Sequence, residues 1–409
     1  MTSIGQRFAA TGSRPSGFDY LRIFLAVAVI AWHTILACYG RQGESAFRYG
    51  PFHALPFLVV PSFFALSGFL VAGSLERNDL PSFLTLRAIR IFPALCVEVL
   101  LSAFILGPLL TTVPLGQYFT SPLLAKYLLN VTGYIHYFLP GLFETNPGGG
   151  TVNVQLWTVP FELECYVAIS LIALVGIFKR PLIMFWILVA CSIAICGWQS
   201  FTGHLWPQDA SPPGRMTVLC FLFGVAIFRL KDRWPWSIWL FAGSLVLSWL
   251  CCSVQQLIYL APLPVAYATI YAGLLNPART GILKGADYSY GLYLYGFPVQ
   301  QTVSYLFPAY RHWAFNLIVS LAVTGLFAFM SWTLIESPIL GQKKRVLRWV
   351  GGLWKPGVQP KSREGSNVAG PARTDRTSSA DVSTPDMLPG AVALSQPVHG
   401  EAEEEADAS

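Results

Sequence analysis

Arg22 and His33 stand eleven residues apart inside one long apolar run, Phe18 to Ala37. At helical geometry that spacing is about 16 Å of rise and about three turns, so both side chains leave the same face of one helix. An imidazole titrates near neutrality and is the commonest general base. An ionisable group at lipid depth is costly and by default marks a functional site. The ordinary alternative is an interfacial Arg and a His bonded to a neighbouring helix. Asp19 lies three positions before Arg22, so the two are expected to pair. Arg87 and Arg90, also three apart, share a helical face at the inner start of the third apolar run. They suit a phosphate-rich ligand as well as a topological anchor. In Leu156-Trp157-Thr158-Val159-Pro160-Phe161-Glu162 the carboxylate falls about one turn beyond Trp157 and Thr158. It is expected near the depth of His33, where it would orient the imidazole or hold an imidazolium. Glu164 points about 160° away. Ser67-Gly68 permits close helix approach, and Ser67 would need an adjacent base to act as a nucleophile. Tyr290 belongs to an aromatic stretch, Asp287 to Pro298, that reads as an interfacial belt or a pocket lining. Glu98 is a lone carboxylate within the third run, with no partner apparent.

These groups need elements to hold them. The chain has 409 residues, 54% hydrophobic and 12% charged, with mean hydropathy +0.52. A soluble domain carries about twice that charged fraction. The composition is that of an all-α integral membrane protein. Apolar runs near the length a bilayer core requires recur at 18–38, 54–74, 91–111, 157–178, 181–200, 215–230, 235–252, 254–275, 288–308 and 314–335, a bundle of about ten transmembrane helices. Of the 27 Lys and Arg residues, 21 fall on one set of connections and on the tail. Five (Arg41, Arg48, Lys126, Arg215 and Arg311) fall on the other, and Arg22 sits within a span. The positive-inside rule then places both termini in the cytoplasm, a parity that ten spans satisfy. The segment Tyr127–Phe143 would spoil that asymmetry as an eleventh span, so it is expected as an outer-surface or re-entrant helix. Residues 1–17 form a cytoplasmic segment and 18–340 the membrane body. Residues 341–409 form a basic anchor and a disordered cytoplasmic tail rich in Pro, Gly and Ser with an acidic end. The eight cysteines include no C-x-x-C pair, so neither a disulfide framework nor a metal site is expected. Gly148-Gly149-Gly150 lacks the Lys of a Walker loop and reads as a turn. The first run is too long for a signal peptide and is one of many. No nucleic-acid partner is expected.

Taken in order, these motifs resemble the acyltransferase-3 family of bacterial membrane O-acyltransferases. The resemblance rests on Arg22 with ten residues to His33, Ser67-Gly68-Phe69, Arg87-x-x-Arg90, Leu156-Trp157-Thr158-x-Pro160-x-Glu162, Ser289-Tyr290-Gly291-x-Tyr293-Leu294 and Glu336-x-Pro338. It covers residues 17 to 340. It implies transfer of an acyl group, usually acetyl, from cytoplasmic acyl-CoA to a hydroxyl. The acceptor it implies is commonly an exported glycan, a glycolipid or an antibiotic, in the bacterial inner membrane beside glycan biosynthesis machinery. It assigns activity to Arg22, His33, Arg87, Arg90, Trp157 and Glu162. Two departures stand out. Many relatives have His after the Tyr-Leu-aromatic run, where this chain has Gly296. Some relatives end in an extracytoplasmic hydrolase-like domain, where this chain has a short polar tail. On this reading the donor phosphates dock at Arg87 and Arg90, His33 takes the acceptor proton, and Glu162 supports the imidazolium. Acyl-CoA is the donor substrate, and no metal is required. The competing reading is a proton-coupled transporter or flippase of glycan precursors. It would predict broken spans at matching places in two halves, which are not evident.

Overall fold

The computed structural model describes residues 2–13, 15–50, 53–207, 211–279 and 286–354, with side chains to 350. Arg14, Lys284 and the expected polar tail from 355 lie outside the described residues. Regular structure among the described residues is helical, with two isolated β-bridges. Six helices are long and apolar enough to cross a membrane: Ser16–Arg48 (α2), Pro56–Arg77 (α3), Leu80–Leu110 (α4), Val154–Leu174 (α7), Pro181–Thr202 (α8) and Trp313–Gly341 (α13). Helices also occupy the other four expected positions, at Gly214–Arg229 (α9), Ile238–Ser253 (α10), Pro262–Gly273 (α11) and Ser289–Leu306 (α12), but these are shorter or more polar. Ahead of α2, Ile4–Ala10 (α1) starts with a Ser3–Gln6 capping box and buries Ile4 and Phe8 against the bundle. Last comes Lys343–Trp354 (α14), a helix over the expected basic anchor.

Two departures from the sequence reading bear on the site. Helix α4 begins at Leu80, not near 91, so Arg87 and Arg90 sit two to three turns inside a helix. Its apolar count was diluted by the very arginines that matter. The segment 127–143 is not one helix. Short helices Leu115–Thr120 (α5) and Pro122–Leu128 (α6) lead into a 3-10 turn, and an irregular stretch then runs to 153. Asn130 ties that stretch back: its amide donates to the His136 carbonyl at 2.8 Å, and its Oδ1 accepts from the His136 N–H at 2.6 Å. The stretch tucks into the protein, burying Leu139, Leu142, Phe143 and Val152. It therefore delivers the chain to α7 from within the bundle.

The core is a continuous helix–helix packing with α3 and α9 at its centre. Gly68 makes their closest crossing possible, because a methyl group there would collide with the Phe221 carbonyl of α9. Small residues serve membrane helices in this way, since apolar side chains gain nothing by leaving lipid. Trp186 and Phe201 of α8 and Leu334 of α13 are more than 60% exposed. That apolar outer surface is what a lipid solvent accepts.

Candidate active site

Apart from Asp19 and Gly68, which line neither, the predicted residues divide between two cavities. The smaller is about 150 Å³. Arg22, Ser67, Arg87, Arg90, Thr158, Glu162 and Tyr290 all line it, together with Asp287, Tyr166 and Tyr293. Five separated stretches of sequence thus converge on one site. The aromatics after Asp287 include pocket lining, Tyr290 and Tyr293, rather than forming only a belt.

Arg90 is the hub of this charged level. It reaches Asp287 Oδ2 at 2.6 Å and Glu336 Oε2 at 2.7 Å, and its guanidinium lies 5.4 Å from the Tyr290 ring centroid. Arg22 meets the same Asp287 oxygen at 3.1 Å. A π-helical turn, Trp332–Glu336, interrupts α13 and ends on the buried Glu336, whose other oxygen accepts from Ser331 at 3.1 Å. Such turns recur at functional sites because they redirect a side chain without ending the helix. Tyr290 donates to the Ile91 carbonyl at 2.9 Å and so ties α12 to α4. Asp287 precedes α12 and lies outside its span. Burial alone would raise its carboxyl, but the Arg90 and Arg22 guanidiniums, with donation from Ser289, hold it at about 2 against an ordinary 3.8.

Three expectations change. Asp19 does not take Arg22 as its bonded partner. Its carboxylate meets Arg279 at 3.2 Å, while Arg22 turns to Asp287. A long guanidinium stem can leave its own helix for a carboxylate already poised beside a second arginine. Arg90 is occupied by two carboxylates, whereas Arg87 is not: its Nε is buried without a hydrogen-bond partner, and no ion pair holds it among the described residues. Glu162 is not at the level of His33. It accepts from Tyr166 at 2.7 Å and lies within electrostatic reach of Arg90, Arg87 and Arg22. The inward course of the preceding stretch explains this, since α7 starts deeper than a helix entered from the surface would.

His33 lines the larger cavity, about 1070 Å³, between α2, α3, α10 and α11. Its ring packs edge-on to Phe297, centroids 5.5 Å apart, and its nitrogens make no hydrogen bond among the described residues. Its charged neighbours are Glu44 and Arg48, paired at 2.7 Å, with Trp32 donating to Glu44 at 3.1 Å. The two cavities share a wall. Val60 lines both, Trp157 lines the larger, and the next residue, Thr158, lines the smaller. Asp287, Glu336, Tyr166 and Tyr293 were not singled out as site residues from sequence. For Asp287 the available signal was a carboxylate abutting a quoted motif, whereas Glu336 and Tyr293 stood within quoted motifs.

An all-helical membrane protein with a charged site buried among its helices is the class defined so far. The acyltransferase domain family model, acyltransferase-3, matches residues 16–336. The chain belongs to the acyltransferase-3 family and is an O-acyltransferase. It is 28% identical over 338 residues to an "O-acetyl transferase" of Shigella phage Sf6, covering 79% of this chain and 95% of the relative. It is 27% identical over 359 residues to "Nodulation protein 10" of Rhizobium leguminosarum bv. viciae, covering 80% of this chain and 93% of the relative. No solved structure matches the chain.

Proposed function

We propose that this chain moves an acetyl group from acetyl-CoA to a hydroxyl of an exported glycan or glycolipid. Its setting on this reading is ten spans in the bacterial inner membrane, both termini cytoplasmic, beside the enzymes that build the acceptor. The observation that supports the donor most is Arg87, a half-buried cation on a cavity wall whose Nε is buried without a hydrogen-bond partner and which has no ion pair among the described residues. Guanidinium is suited to phosphate because its N–H groups form paired, charge-assisted bonds. A cavity of about 150 Å³ admits one end of such a donor, not the whole of it. The similarity to an O-acetyl transferase supports acetyl as the group moved.

The acceptor hydroxyl stands in the larger cavity beside His33. The imidazole takes the hydroxyl proton as the oxygen attacks the thioester carbonyl carbon. The C–S bond breaks, and the departing thiolate takes a proton, so one ester and one thiol form from one thioester and one alcohol. A general base contributes about 10²–10⁴-fold. Because Glu162 faces the arginines, this scheme leaves it to orient Arg87 rather than the imidazolium. The thioester reaches His33 past the wall of Val60 and Trp157.

Inverted membrane vesicles given labelled acetyl-CoA should label their glycan. His33→Ala should abolish labelling while the protein stays folded in the membrane. Wild-type labelling by that variant would refute the scheme.

A further inference from the structure

Glu98, which the sequence left without a partner, sits on α4 with 1% of its surface exposed. Ser102, the first residue of a π-helical turn in α4, donates to its Oε1 at 2.7 Å. The Asn153 amide donates to the same oxygen and, at 2.8 Å, to the Tyr127 hydroxyl. Gln155 donates to Asn153 Oδ1 at 3.0 Å and to the Leu294 carbonyl at 2.8 Å. The Gln155 backbone carbonyl accepts from the Tyr293 hydroxyl, which also bonds Thr158. A continuous chain therefore runs from Glu98 through Asn153 and Gln155 to Tyr293 and Thr158. Its far end lines the smaller cavity, whereas Glu98, Asn153 and Gln155 line neither cavity.

The chain converges on the 3-10 turn Val154–Thr158. That turn carries Trp157 to one cavity and Thr158 to the other. A 3-10 turn has poorer hydrogen-bond geometry than an α-helix and needs outside support. Glu98 Oε2 is also buried without a hydrogen-bond partner. Stability alone would favour an apolar side chain of similar volume there, because a half-satisfied buried carboxyl is costly.

We propose that Glu98 is a positioning residue for acyl transfer: through Asn153 and Gln155 it fixes the turn that sets Trp157 and Thr158 on the wall between the two cavities. This assignment rests on the acetyl-transfer reading above. It concerns the turnover step, because the Arg87 guanidinium assigned to the donor lies outside the chain of bonds.

The test uses purified full-length protein in liposomes, with acetyl-CoA and acceptor-bearing membranes. Glu98→Gln keeps the carbonyl acceptor for Ser102 and Asn153 and should hold kcat within about twofold. Glu98→Leu should lower kcat by about 10- to 100-fold with the KM for acetyl-CoA unchanged, since small misplacements cost that much. Glu98→Leu combined with Asn153→Leu should lose no more than either alone, as for residues acting in one network. Where Glu98→Leu does not accumulate, Ser102→Ala removes one bond to the same oxygen at little change in volume and should lower kcat alone. The assignment is overturned if Glu98→Leu keeps the wild-type kcat, if losses fall on KM, or if Glu98→Gln is as impaired as Glu98→Leu. Wild-type protein that transfers no acetyl sinks the functional reading instead, so the two failures are distinct.

Discussion

Asp287 is the residue whose removal gives the most calculable effect. Its Oδ2 is shared by Arg90 at 2.6 Å and Arg22 at 3.1 Å, and its side chain is 20% exposed. Asp287→Asn keeps the shape and removes the charge. The gap between 3.8 and about 2 corresponds to roughly 2–3 kcal/mol at about 1.4 kcal/mol per pKa unit. Two charge-assisted hydrogen bonds weakened but not abolished give about the same, roughly 2–4 kcal/mol. The sign follows from the depressed folded value. Above about pH 4 the carboxyl is ionised both folded and unfolded, and its full contribution is present. As pH falls through about 2 the folded carboxyl is protonated and the contribution is lost. Purified protein in detergent, unfolded with SDS and followed by the fluorescence of its 13 tryptophans, reads this directly. At pH 7 the variant should be less stable by about 2–3 kcal/mol, and the difference should close between about pH 4 and pH 2. A difference below about 0.5 kcal/mol at pH 7, ordinary for surface substitutions, or one that widens in acid, would refute the network's assigned role.

The two arginines of the third span should respond differently. Arg87→Ala removes unengaged donors and should raise the KM for acetyl-CoA by about tenfold or more at nearly constant kcat, as expected for a lost charged hydrogen bond of about 1.5–3 kcal/mol. An unchanged KM would remove the docking assignment. Arg90→Ala strands two carboxylates, Asp287 and the buried Glu336. It should cost about 3–5 kcal/mol and show first as loss of membrane-extracted folded protein. An Arg90→Ala protein of wild-type stability with only a raised KM would mean that Arg90 docks the donor and holds nothing else.

Residue grouping was legible in the sequence; depth and pairing were not. Arg22, Ser67, Arg87, Arg90, Thr158, Glu162 and Tyr290 do gather on one cavity. His33 stands apart from them, since eleven residues along α2 carry it to another cavity even on a common face. Glu162 was set too far out because periodicity gives angle and rise but not the level at which a helix starts. That level depends on the irregular stretch before α7, which no periodicity describes. Asp19 was paired by proximity along one helix, yet the bond is decided by which carboxylate the rest of the bundle presents. Glu98 looked solitary because Asn153, its hydrogen-bond partner from another element, lies at the end of that same irregular stretch.

The charge count of the smaller cavity bears on how a donor is held there. Arg22, Arg87 and Arg90 face Asp287 and Glu162, with Glu336 completing the network. Three guanidiniums against three carboxylates leave no net positive field to draw an anion in. Selectivity then has to come from directed N–H donors at short range, and Arg87 has its Nε unengaged. The neutral balance also lets such groups sit together among packed helices, where an uncompensated buried charge would be expensive. Arg90 and Asp287 therefore make the level tolerable, and their compensation keeps Arg87 available for a phosphate.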